Sequence, residues 1–102
     1  MTYEVQAFIA AAMEIGLGAR LAALTAEVET AIADFPRGPD RRYLARLKSQ
    51  RDRLQSPDLP LIAALVTQLC AEEPGSWRVI DPVVRRMSEA HPCLARLIKA
   101  AP

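Results

Sequence analysis

His91 is the single histidine among 102 residues. Proton transfer, metal binding or nucleophile activation near neutral pH therefore has one imidazole to draw on. The other side chains able to do chemistry are few. Cys70 and Cys93 are the two thiols, Ser76 and Ser88 the nearest hydroxyls in sequence, and Glu72-Glu73 the adjacent carboxylates. A structural zinc site needs four ligands at a recognisable spacing. His91, Cys93 and Cys70 offer three, so no metal and no other cofactor is expected. The serines lack the strand–turn–helix setting of a nucleophile elbow. Glu72 and Glu73 run straight into Pro74, which reads as a helix end and not as an acid–base dyad. Gly16-Leu17-Gly18 has neither the preceding strand nor the further glycines or lysine of a phosphate-binding loop. Those glycines instead mark a bend or a close approach of helices. No catalytic residue is expected, and the chain is not expected to be an enzyme.

Arg86-Met87-Ser88-Glu89-Ala90-His91 resembles the Arg-x4-His motif of the HEPN ribonuclease families. The resemblance implies a late helix in a small all-helical bundle. It also implies that Arg86 and His91 jointly activate and position a ribose hydroxyl and phosphate. Two residues depart from the pattern. Met87 stands where those families place Asn, His or Asp, and Pro92 follows the histidine directly. Read from physics alone, His91 is a helix-terminal side chain near the negative end of the macrodipole.

The elements that must position these residues are helical. Hydrophobic residues make up 51% of the chain and charged residues 25%, the balance of a globular domain with a packed core. Eighteen Ala, twelve Leu and no Asn favour helix. No segment alternates apolar and polar residues with the period of a strand. The expected fold is all-α, a single domain over residues 1–102 built as a small bundle of four to five helices. No run of about 18 apolar residues and no basic leader occurs, so neither a membrane span nor a signal peptide is expected. With two cysteines and no export signal, free thiols in a reducing, cytoplasmic setting are expected. Eleven Arg against two Lys suggest a bacterial or phage genome of high GC content.

Proline divides the chain: none precedes Pro36, and all eight lie from there onward. Residues 3–35 are free to form a long N-terminal helix, with Thr2 as its cap. Val5, Phe8, Ile9, Ala12 and Met13 form one apolar stripe. Leu17, Leu21, Leu24, Val28, Ala31 and Phe35 form a second, with the alternating four- and three-residue steps of a heptad seam. Gly16 and Gly18 fall between them, so the helix is bent there or a short helix feeds a longer one. Residues 36–40 predict a turn, and Asp40 a cap for an antiparallel second helix over 41–55 with Tyr43, Leu44, Leu47 and Leu54 inward. A third helix is predicted over 59–72, carrying Ile62, Leu65, Val66, Leu69 and Cys70. Ser76 to Ile80 predict a single turn anchored by Trp77. Asp81-Pro82 reads as the start of a fourth helix ending near Ala90, with Val83, Val84 and Met87 inward. Pro92 begins a last short helix with Leu94, Leu97 and Ile98.

The net charge of +1 conceals an asymmetry. Residues 1–35 carry Glu4, Glu14, Glu27, Glu29 and Asp34 against Arg20. Residues 36–53 carry Arg37, Arg41, Arg42, Arg46, Lys48, Arg51 and Arg53 against Asp40 and Asp52. An acidic first helix is followed by a basic second one, an arrangement in which antiparallel neighbours can pair charges across their flanks. Facing outward, the same arginines would meet nucleic acid or an acidic protein. Aromatic residues are 5% of the chain, poor material for stacking bases.

Leu21-Ala22-Ala23-Leu24, Arg37-Gly38, Tyr43-Leu44-Ala45-Arg46-Leu47 and Ala64-Leu65-Val66 resemble the helical-hairpin co-chaperones of type III secretion needle subunits. That resemblance extends over residues 17–69 and implies an amphipathic hairpin that shields a partner. Pro57 and Pro60 interrupt where that family runs a continuous helix.

A small protein–protein interaction module is therefore expected: an adaptor, chaperone or inhibitor docking an apolar helical face on a partner or on itself as an oligomer. Its expected contacts are Leu17, Leu21, Leu24 and Val28, rimmed by Arg41, Arg42, Arg46 and Arg53. The alternatives are nucleic-acid binding through 41–55 and a HEPN-like ribonuclease using Arg86 and His91. No membrane partner is expected.

Overall fold

The structure is a computed structural model that describes residues 2–35, 41–96 and 98. Among these the chain is all-α, with no strand. Five helices follow in order: α1 (Tyr3–Glu14), α2 (Leu17–Ala33), α3 (Arg41–Gln55), α4 (Leu59–Glu72) and α5 (Trp77–Ala90). A 3-10 turn, Pro74–Ser76, precedes α5, and a four-residue helix α6 (Pro92–Ala95) follows it. The expected turn at 36–40, with its Asp40 cap, lies outside the described residues, as does Leu97.

The N-terminal run divides into a short helix and a longer one, and Gly16 is the reason. Its φ of +103°, a conformation that L side chains rarely adopt, ends the helix at this point. The break has the form of a glycine C-cap. Ile15 N–H donates to the Ala11 carbonyl at 3.2 Å, and Gly16 N–H donates to the Met13 carbonyl at 3.2 Å. In such a cap the residue after the glycine turns back onto the last apolar turn of the helix. That residue is Leu17, only 1% exposed, and Ala11 and Ala12 are buried with it. One glycine thus ends α1 and sends Leu17 into the core.

Contacts divide the chain into two compact units, Met1–Leu17 with Leu59–Pro102, and Gly18–Asp58. The first is built around α5. This helix packs along α1 and against α6, while α4 lies beside α1 and the 3-10 turn. Its core is Val5, Phe8, Ala11 and Ala12 of α1, Leu17, then Ile62, Ala63, Leu65, Val66 and Cys70 of α4, Ile80 and Met87 of α5, and Ile98. Met13, expected inward, is 53% exposed, and Ala11 occupies the buried position in its place. Small alanines on α1 let its backbone approach α5 closely.

Pro82 does not start a helix. It is the sixth residue of α5, which begins at Trp77 and runs through it. Proline removes the N–H that would bond the Arg78 carbonyl. Both Pro82 and Arg78 are exposed, so the orphaned carbonyl lies on the wet side of the helix. Ile80, on the buried side, is 0% exposed. Packing of that face sets the helix start, not the proline.

The second unit is the pair α2 and α3. Phe35 and Tyr43 join the end of α2 to the start of α3, ring centroids 5.4 Å apart and tilted by 35°. Leu47 is its one buried side chain among the described residues.

Candidate functional site

The heptad stripe of α2 is the covered face of that helix. Leu21, Leu24, Val28, Ala31, Ile32 and Phe35 are half-buried, while Ala22, Ala23, Ala26, Glu27, Glu29 and Thr30 are exposed. Thr25 lies on the same covered face. Its hydroxyl donates to the Leu21 carbonyl at 2.7 Å, which satisfies the polar atom within the helix. On α3 the corresponding face is Leu44, Leu47, Arg51 and Leu54, at steps of three, four and three. Arg51 reaches sideways to Asp52, 3.5 Å away.

The expected contact residues separate into three groups. Leu17 belongs to the core of the first unit and is withdrawn from any surface. Leu21, Leu24 and Val28 lie half-buried on the α2 face. The arginines do not form one rim. At about 100° per residue, Arg42, Arg46 and Arg53 fall within roughly 40° of one another, on the side of α3 away from Leu44, Leu47 and Leu54. Arg41 lies at the edge of the apolar face, with Lys48 one heptad on. All five cations are exposed. Sequence spacing alone holds this distinction, but only once the covered face of α3 is known.

Arg86 and His91 stand apart in role. Arg86 is exposed on α5, and His91 is the residue that caps its end, its N–H donating to the Met87 carbonyl. The imidazole Nε2 is 3.1 Å from Thr2 Oγ1. The same hydroxyl oxygen accepts the Val5 N–H at 3.5 Å, capping α1 as its sequence position predicts. His91 and Thr2 thus clasp the end of α5 to the start of α1, a use of the histidine that its sequence neighbours do not signal.

Cys70 is fully buried in α4, and Cys93 is exposed; both are free thiols. Burial pushes the Cys70 thiol above its ordinary value of 9.0, and the nearby Asp81 carboxylate pushes in the same direction. A buried, protonated thiol is a poor nucleophile and a poor metal ligand. Among the described residues no three His, Cys, Asp or Glu side chains are grouped to hold a metal ion.

A shallow cleft of about 480 Å³ runs between α1 and α5, lined by Tyr3, Gln6, Ala7, Ala10, Ala11, Glu14, Val79 and Val83. Glu14 and Tyr3 are the ionisable side chains of its lining. Among the described residues, no single helix is long and apolar enough to cross a membrane; α1 and α2 together reach that length and composition only across a bend of 71°. The chain matches no protein-family model, and no curated protein or solved structure is similar to it.

Proposed function

We propose that the chain is a protein–protein interaction module whose docking face is the apolar seam of α2 and α3. One observation carries this reading. Among its described residues the unit Gly18–Asp58 holds two amphipathic helices yet buries only Leu47, leaving the seam side chains half-covered. Units of about 40 residues usually need disulfides, a metal or association to fold stably. Both cysteines lie outside this unit. Association with a further helical surface would supply the missing burial, and two-helix pairs with heptad seams gain it by joining further helices in a bundle. Arg41 and Lys48, at the edge of the seam, would meet acidic groups on the rim of the partner, favouring encounter rate and orientation more than affinity.

A photo-crosslinking residue placed at Leu24 or Val28 tests the reading in the cells that make the protein. Discrete adducts of higher mass are expected from these two positions and not from Ala26 or Thr30 on the exposed side of α2. Mass spectrometry of the adducts separates a second copy from a different protein. No adduct at either seam position, or equal adducts on both sides of the helix, would overturn it.

A further inference from the structure

The seam uses one face of α3 and leaves the opposite face without a task. That opposite face carries Arg42, Arg46 and Arg53, all exposed. Along the helix axis they stand at about 0, 6 and 16 Å, from a rise of 1.5 Å per residue. Between them lie Ser49 and Gln50, short and polar. The nearest acid on the helix, Asp52, is held by Arg51 at 3.5 Å and lies off the line. Three guanidiniums in a straight row, unshielded by their own helix, form a surface whose chemistry is that of a row of anions.

We propose that this stripe binds a nucleic-acid duplex through the phosphates of one strand. Guanidinium forks match phosphate oxygens in bidentate geometry. A duplex strand presents a charge about every 3.4 Å along its axis but winds around it, so a straight row of three guanidiniums about 16 Å long meets about three phosphates. The stripe, with Ser49 and Gln50 between its arginines, offers no apolar anchor for a peptide side chain. It also offers no aromatic platform for unstacked bases: Tyr43, the one aromatic of α3, packs against Phe35. Single strands rely on such stacking, so the duplex is the better fit and the binding is independent of sequence. Because the stripe faces away from the seam, this inference stands apart from the docking role proposed above and survives its failure.

Fluorescence anisotropy with a labelled 20-base-pair duplex, titrated between 25 and 200 mM salt, tests it. About three phosphate contacts predict a slope of log affinity against log salt of about −3. Arg42→Gln/Arg46→Gln/Arg53→Gln is expected to weaken binding at least tenfold at low salt and to flatten the slope by about three. The matched variant Arg78→Gln/Arg85→Gln/Arg96→Gln, with the same loss of charge on exposed residues of the first unit, is expected to stay within about threefold of the parent. Circular dichroism checks that helix content is kept. Should the triple stripe variant lose helix, the three single substitutions must each lower the slope by about one. Several results would overturn the proposal: no anisotropy change at 100 μM protein and 25 mM salt; equal loss in both triple variants; a single strand bound more tightly than the duplex; or polyglutamate bound while the duplex is not, which would assign the stripe to an acidic protein.

Discussion

At the scale of single residues, Gly16 and Cys70 have the clearest consequences. A Cβ at Gly16 would meet no atom within 4 Å, so Gly16→Ala is free of steric clash and pays only for its positive φ. It should lower stability by about 1–3 kcal/mol in chemical denaturation. An unchanged midpoint would mean that the chain does not need this turn. Cys70 and Cys93 should differ sharply in reactivity. At pH 8 a thiol reagent should modify Cys93 at once and Cys70 only after unfolding. The pH dependence follows from the same burial. The folded Cys70 thiol ionises at higher pH than the unfolded one. Its contribution is therefore complete below about pH 9 and is lost as pH rises beyond it, by up to about 1.4 kcal/mol per pH unit. Cys70→Ala should flatten that alkaline slope, whatever it costs at neutral pH; an unchanged slope would locate the alkaline sensitivity elsewhere.

At the scale of elements, α3 and α4 were legible to the residue, because a turn signal precedes each and a heptad or 3.6-residue stripe runs through it. The break between α1 and α2 was legible as a choice between a bend and a stop; only the φ of Gly16 decides it. Pro82 misled, since a proline after an aspartate is a helix-start signal that buried packing on the opposite face overrode. Ile80 was missed as core for the same reason, being assigned to a separate turn. Pro82→Ala restores an N–H to the middle of an exposed helical face and should stabilise the protein, by about 1–3 kcal/mol. A loss of stability would show the proline to be part of how α5 meets its neighbours. The contact residues were legible only in type. Apolar spacing found the seam, but Leu17 proved to be core, and Arg42, Arg46 and Arg53 lie on the face opposite Leu44, Leu47 and Leu54. Half-covered and fully buried leucines should separate in the purified chain. Leu65→Ala, at 4% exposure, should cost about 2–5 kcal/mol. Leu24→Ala should cost under about 1.5 kcal/mol until a partner is bound. Equal costs would place Leu24 in a closed core.

At the scale of the whole molecule, the two units differ in how much of themselves they bury. The unit containing α1, α4 and α5 has a contiguous core from Val5 to Ile98, and a histidine–threonine clasp ties α5 to α1. Among its described residues the α2–α3 unit has one buried leucine and an apolar seam on each of its two helices. The asymmetry of burial between the units is the observation on which the proposed docking role rests. The docking role requires that the second unit lack a finished core of its own. Amide hydrogen exchange on the purified protein at low micromolar concentration reads this directly, because protection reports the free energy of local opening. Helices α1, α4 and α5 should be protected at least about a hundredfold more than α2 and α3. Equal, slow exchange across all five helices would mean that the seam is already closed, and would contradict the docking role.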